Sequence, residues 1–199
     1  MGFALTAVVS YLIGSIPTGY LVAKARGVDI RSVGSGNIGA TNAFRVLGKT
    51  AGITVLLVDA IKGYLACRFV AFGPGAPSEM HPMIAGLFAI LGHNYTCWLR
   101  FKGGKGIATT AGVLLALAPI GFAVAIATFL IVLGLSRYVS LGSIIAAIVL
   151  PFGVWLGGGS VRMISLMAFL GGMAIYKHRS NIKRLMAGTE SRIGQKKKE

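Results

Sequence analysis

The sequence predicts an all-α integral membrane protein of about seven transmembrane helices, some short or broken, with the N-terminus outside and the C-terminus cytoplasmic. Three observations lead there. Of 199 residues, 55% are hydrophobic and only 13% are charged, where soluble domains carry about 25% charged residues. Residues 1–23 hold no charge and are long enough to cross about 30 Å of hydrocarbon. Beyond them, apolar runs alternate with short polar segments that collect nearly all the Lys and Arg.

The first span, 1–23, has no positive residue ahead of it, unlike a signal peptide. Lys24, Arg26, Arg31, Arg45 and Lys49 follow it, which makes that loop cytoplasmic, since cytoplasmic loops are enriched in Lys and Arg. A second span over about 50–72 leads to the segment 73–79, which lacks Lys and Arg, contains two prolines and suits an external turn. A third, about 82–99, returns to Arg100, Lys102 and Lys105. A single helix over 107–135 would be about 43 Å long, more than one hydrocarbon thickness. Pro119 and Gly121 near its middle predict two short helices, about 107–118 and 121–136, because proline removes a backbone donor. Spans at about 139–157 and 163–176 complete the set, and a basic tail occupies 177–199. Starting outside and ending inside requires an odd number of crossings. Seven satisfies this, and five does so if the short pieces are re-entrant. All Lys and Arg except Lys62, Arg68 and Arg162 then face the cytoplasm.

The formal charge of +15, from 20 Lys and Arg against 5 Asp and Glu, invites a nucleic-acid reading. Membrane topology accounts for it better, with a share for anionic substrates. Cys67 and Cys97 give neither a disulfide framework nor metal spacing. Asp29, Asp59, Glu79, Glu190 and Glu199 are scattered, so no metal site and no cofactor are expected.

Three polar segments carry the chemistry. GSGNIGATNAFRVLG, 34–48, matches GxGxxG at Gly34, Gly36 and Gly39, but a transmembrane helix precedes it where the dinucleotide motif needs a strand. It runs into Gly48, Lys49 and Thr50 as a Walker sequence does, yet Ala43 stands where that motif needs its first glycine. The shared physics survives: glycines let backbone N–H groups approach an anion. Ser35, Thr41 and Asn42 add side-chain donors, and Arg45 adds a charged fork suited to phosphate. The plain alternative is a Gly/Asn-rich membrane turn.

GHNYTCWLRFKGGKGIAT, 92–109, places Gly103, Gly104, Lys105 and Gly106 just before a helix, where free N–H groups attract anions. An interfacial belt explains Trp98 and Arg100 but not the glycines. HRSNIKRLMAGTE, 178–190, is basic enough to hold anionic lipid. That reading does not explain His178 and Asn181, three apart and able to share a helix face. Asp59 and Lys62, also three apart, lie inside the second span. Ionisable groups there are usually paired, and a structural pair and a functional one suit them equally.

These three motifs, in this order, resemble the acyl-phosphate-dependent glycerol-3-phosphate acyltransferases of bacteria over essentially the whole chain, and Asp59 to Gly63, DAIKG, fits the same pattern. The resemblance implies one membrane-embedded acyltransferase domain over 1–199, in the bacterial cytoplasmic (inner) membrane with its active site facing the cytoplasm. It implies transfer of an acyl group from acyl phosphate to the 1-hydroxyl of glycerol 3-phosphate, giving lysophosphatidic acid and phosphate, the entry to phospholipid synthesis. The partners are those two substrates and membrane lipid, with no nucleic acid and no obligate protein partner. By resemblance, Ser35, Gly36, Asn37, Gly39, Thr41 and Asn42 line the donor phosphate. Arg45 and Lys105 neutralise charge between phosphates, Ser143, His178 and Asn181 hold glycerol 3-phosphate, and Glu190 ties the third motif in place. Ser35, Arg45, Lys105, His178 and Asn181 form the expected catalytic set. His178 reads as a substrate ligand before a base, because Lys177 and Arg179 oppose its protonation. The competing class is an organic-phosphate transporter, against which stands the gathering of polar residues at one membrane face.

Overall fold

The computed structural model describes residues 2–70 and 78–194. The expected external turn therefore lies largely outside the described residues, as do Lys196, Lys197 and Lys198. All elements among the described residues are helical: α1 (Phe3–Ser15), α2 (Thr18–Lys24), α3 (Ala40–Leu47), α4 (Lys49–Leu65), a π-helical turn (Ala66–Val70), α5 (Met80–Asn94), a 3-10 turn (Cys97–Leu99), α6 (Ile107–Leu117), α7 (Pro119–Ser136), α8 (Val139–Leu156), α9 (Val161–Lys177) and α10 (Arg179–Met186). Among the described residues, four stretches are long and apolar enough to cross a membrane: Phe3–Lys24, Lys49–Phe69, Pro119–Ser136 and Val139–Leu156.

Two boundaries differ from expectation, both at prolines. The first span is broken, because Pro17 cannot donate the N–H that would continue α1. Thr18 N–H turns back to the Ile16 carbonyl at 3.0 Å, and α2 starts afresh. In the fourth apolar run, Pro119 takes the first position of α7 instead of standing in the turn. Its missing N–H would have had no intrahelical partner there. Gly121, expected at the boundary, is consequently buried inside α7.

The chain forms two compact units, Met1–Leu117 and Ala118–Glu199. In the first, α1 packs along α5, and a Cβ at Gly14 would collide with the Ala89 backbone. α4 packs along α6 with Gly112 against the Ala60 carbonyl. Small residues of this kind let membrane helices approach, since lipid itself offers no hydrophobic drive between them. In the second unit, α7 lies along α8 with Gly142 against Phe129 and Gly153 against Val124. Large apolar side chains point away from both units. Leu135 is 84% exposed and Phe69 73%, as hydrocarbon-facing positions should be.

Candidate active site

The first polar segment is held from behind. Ile30 and Ile38 are buried in a cluster with Ala23, Ala43, Val55 and Leu99, which fixes both ends of the connection between α2 and α3. Between these anchors the backbone turns through Gly34 (φ +62°) and Gly36 (φ +69°), a left-handed conformation that favours glycine. Asn42, buried on the first turn of α3, binds the turn together. Its Nδ2 donates to the Ile30 and Val33 carbonyls at 3.2 and 3.1 Å, and its Oδ1 accepts the Ser35 backbone N–H at 2.9 Å.

The donors expected to line a phosphate therefore divide. Asn42 spends its side chain on the loop, where the buried Ile30 carbonyl needs a donor and the part-buried Val33 carbonyl takes a second beside the Gly36 N–H. The Gly39 N–H is taken by Asn37 Oδ1 at 2.9 Å, and the Gly36 N–H by the Val33 carbonyl at 3.0 Å. Ser35, Gly36, Thr41 and Arg45 remain exposed on this scaffold, with Arg45 on the last turn of α3. Ahead of them, Arg31 donates two bonds to Asp29, Nε to Oδ1 at 2.9 Å and Nη2 to Oδ2 at 2.8 Å. Those bonds lower the Asp29 pKa to about 2.

The second segment corrects one expectation. Gly103 and Gly104 do not offer their N–H groups to an anion. They donate to the Asn94 and His93 carbonyls at 3.2 and 3.0 Å. The last carbonyls of α5 need such partners, and the returning chain supplies them. Glycine serves here by its size: a Cβ at Gly103 would strike the His93 carbonyl, and one at Gly104 would strike the His93 ring. Lys105 is half-buried between Gly104 and Gly106. The N–H groups opening α6, just beyond Gly106, have no intrahelical acceptor, as at any helix start.

Asp59 and Lys62 form a buried ion pair with Oδ1 to Nζ at 2.8 Å, 2% and 4% exposed. Thr18 Oγ1 donates to Asp59 Oδ1 at 2.9 Å. Lys62 Nζ also donates to the Ile16 carbonyl at 2.9 Å and lies 3.0 Å from His93 Nδ1. The break at Pro17 thus leaves the Ile16 carbonyl where Lys62 can use it. Removing one partner of a buried pair costs about 3–5 kcal/mol, because the other is left uncompensated. Among the described residues, no three His, Cys, Asp or Glu side chains gather as a metal site.

The second unit carries the third segment. His178 ends α9 and precedes α10, while Asn181 lies on α10, and both are buried. His178 Nδ1 is 2.8 Å from the Ala174 carbonyl; a carbonyl only accepts, so Nδ1 carries the proton. Glu190 gathers three donors: Ser140 Oγ at 2.7 Å and Asn181 Nδ2 at 2.7 Å on Oε1, and Arg184 Nε at 2.6 Å on Oε2. Burial raises the Glu190 pKa, but the bonds from Asn181, Ser140 and Arg184 outweigh it and hold the carboxylate below its ordinary value. Ser143, also buried, donates to the Val139 carbonyl at 2.9 Å, a local bond within α8.

Thr18, His93, Ser140 and Arg184 were not among the sequence-derived site residues. His93 had a signal, since it sits in the GHNY stretch opening the second motif, and a buried Lys62 demands more acceptors than Asp59 alone. Ser140 had only the weak signal of lying one helical turn from Ser143.

The family model described as Glycerol-3-phosphate acyltransferase matches residues 4–188. A glycerol-3-phosphate acyltransferase of Desulforudis audaxviator is 48% identical over 189 residues, covering 94% of each chain. One from Geobacter sulfurreducens is 48% identical over 194 residues, covering 95% of this chain and 96% of the relative. Among solved structures, PlsY (YgiH), an integral membrane glycerol 3-phosphate acyltransferase in its glycerol 3-phosphate form, superposes with a TM-score of 0.90 at 38% identity, covering 96% of both chains. Its lysophosphatidic acid form gives a TM-score of 0.88, also at 38% identity, covering 96% of this chain and 95% of that one.

Proposed function

Because the chain belongs to the glycerol-3-phosphate acyltransferase family, we propose that it takes its acyl group from acyl phosphate, transfers it to the 1-hydroxyl of glycerol 3-phosphate, and releases lysophosphatidic acid and phosphate. The observation that carries this reading is the scaffolded loop of the first unit. Asn42 and the buried Ile30 and Ile38 absorb the loop's own demands, which leaves Ser35, Thr41 and Arg45 exposed on a fixed support. Fixed donors stabilise developing charge better than mobile ones, since no reorganisation is needed during reaction.

In this mechanism the 1-hydroxyl oxygen attacks the acyl carbonyl carbon. The bond from that carbon to the phosphate oxygen breaks, and the hydroxyl proton passes to the departing phosphate. Phosphate is a competent leaving group, so no nucleophilic side chain is demanded. Ser35 and Thr41 hold the donor phosphate, and Gly36, with no side chain, lets it approach the loop. Arg45 and Lys105 offset the repulsion between two phosphorylated substrates, Arg45 through a planar fork and Lys105 as a point charge. In the second unit, Asn181 and His178 Nε2 hold glycerol 3-phosphate, with Glu190 fixing Asn181. The relative solved in a glycerol 3-phosphate form and a lysophosphatidic acid form supports this choice of acceptor and product.

The charge asymmetry of the sequence supports seven crossings in the bacterial cytoplasmic membrane, N-terminus outside and C-terminus inside, with the reacting groups facing the cytoplasm. α5 with 15 residues, α6 with 11 and α9 with 17 are the short crossings.

The deciding experiment gives purified protein palmitoyl phosphate, with and without glycerol 3-phosphate, in chelator-containing buffer. Phosphate release that depends on glycerol 3-phosphate and matches lysophosphatidic acid formed is expected. Turnover with palmitoyl-CoA but not palmitoyl phosphate overturns the donor assignment.

A further inference from the structure

The ion cluster inside the first unit plays no direct part in the mechanism above, yet it adjoins the loop that presents Lys105. An ammonium has three N–H donors and no acceptor. Lys62 Nζ has three acceptors around it: Asp59 Oδ1 at 2.8 Å, the Ile16 carbonyl at 2.9 Å and His93 Nδ1 at 3.0 Å. The tripod is complete only if His93 Nδ1 accepts, which puts the ring proton of the neutral imidazole on Nε2. That nitrogen is the one packed against Gly104, where an added Cβ would overlap it. The backbone on the same side is tied as well, with Gly104 N–H on the His93 carbonyl at 3.0 Å and Gly103 N–H on the Asn94 carbonyl at 3.2 Å. Lys105 is the next residue in the chain.

We propose that Asp59, Lys62 and His93 form a positioning relay for Lys105. The buried pair fixes the tautomer and angle of the His93 ring, and the ring edge sets the height of the Gly104 backbone from which Lys105 departs. None of the three touches substrate. Burial favours this reading over a pair that merely joins two helices. Bonds to Asp59 and to the Ile16 carbonyl already join α4 to the break between α1 and α2, and the third Lys62 donor is aimed at a side chain that contacts the Lys105 loop. A shift of about 1 Å in a charge-bearing group suffices to cost about 100-fold in rate, so a relay of this kind has a measurable consequence. The inference rests on the assignment of Lys105 as a charge-neutralising group.

The test is a double-mutant cycle in the full-length protein, assayed by glycerol 3-phosphate-dependent phosphate release from palmitoyl phosphate. His93→Asn keeps an acceptor near the Nδ1 position for Lys62 and removes the ring edge from Gly104. The relay predicts at least about a 10-fold fall in kcat, with thermal unfolding of the detergent-solubilised protein unchanged and little change in KM for glycerol 3-phosphate. The decisive expectation is that His93→Asn adds no further loss in a Lys105→Ala background. Losses that multiply, or a His93→Asn protein as active as wild type, overturn the relay while leaving Lys105 in its role. A Lys105→Ala protein with wild-type turnover overturns that role and the relay together. If His93→Asn does not fold, Thr18→Val goes through the same cycle, since it deletes one bond to Asp59 at nearly constant volume. A smaller loss that again vanishes beside Lys105→Ala supports the relay, and one that persists there sinks it.

Discussion

The Ser35 backbone N–H donates to Asn42 Oδ1 at 2.9 Å, closing a turn between residues seven positions apart around a side chain with no exposure to speak of. Asn42 accepts one bond and donates two, a combination that aspartate cannot reproduce. Asn42→Asp should turn a carboxylate on the Ile30 and Val33 carbonyls; Val33 keeps the Gly36 N–H at 3.0 Å, but the buried Ile30 carbonyl loses its Nδ2 donor, and an unsatisfied buried group costs about 1–3 kcal/mol. The expected result is a lower unfolding temperature together with a KM for acyl phosphate raised by about 10-fold or more. Unfolding scans in detergent and donor titrations check both, and a stable variant with wild-type KM contradicts the scaffolding role.

His178 is oriented by its bond from Nδ1–H to the Ala174 carbonyl, and in the proposed mechanism its Nε2 meets glycerol 3-phosphate. His178→Asn keeps a polar atom near the Nδ1 position and His178→Gln one near Nε2. The glutamine variant should therefore retain more activity, with its loss falling mainly on KM for glycerol 3-phosphate. A collapse of kcat at saturating glycerol 3-phosphate in His178→Gln, with binding intact, would mark His178 as a base.

Glu190 gives a pH dependence with a definite sign. Its folded pKa is depressed, so its contribution to stability is fully present above the ordinary glutamate value of about 4.3 and is lost as pH falls through the folded value. Wild type should be more heat-stable than Glu190→Gln at about pH 7, and the gap should close towards about pH 3. Paired unfolding scans across that range measure it, and a gap that stays constant contradicts a charged clamp.

Gly104 is predicted to tolerate no side chain. In Gly104→Ala the new Cβ would overlap the His93 ring, and overpacking of this type costs about 1–3 kcal/mol. Turnover should fall at least as far as stability suggests, because the displaced backbone carries Lys105. Gly188→Ala is a fair control on the assay: Gly188 also lies in a motif, but a Cβ there meets nothing within 4 Å, and only its φ of +69° opposes the change. Equal activity in the two variants would remove the special standing of Gly104.

Much of the fold could be read along the chain. Helix or closed barrel is the only choice for a chain in hydrocarbon, since every backbone group must be satisfied internally, and the apolar runs of this sequence have helical length. Pro119 correctly marked a helix start, although the proline joined the helix it begins. Pro17 carried the same information and was passed over, because a chargeless run of 23 residues hides a break that only the lost N–H reveals. The motif glycines were legible as positions of close approach, but what approaches them was not. At Gly103 and Gly104 it is the end of α5.

By itself, the sequence determined the solvent this protein lives in and the inventory of its chemistry: two glycine-rich basic segments, a buried carboxylate–ammonium pair and a His/Asn pair after the last long helix. Tertiary structure decided how that inventory is spent. It gave Asn42 to the loop and Ser35, Thr41 and Arg45 to the surface, it brought Ser140 rather than Ser143 to Glu190, and it set His93 between Lys62 and Gly104. The physical reason is that a residue's identity fixes how many hydrogen bonds it can make, while its partners, up to fifty positions away for Ser140 and Glu190, are chosen by the packing of helices against one another.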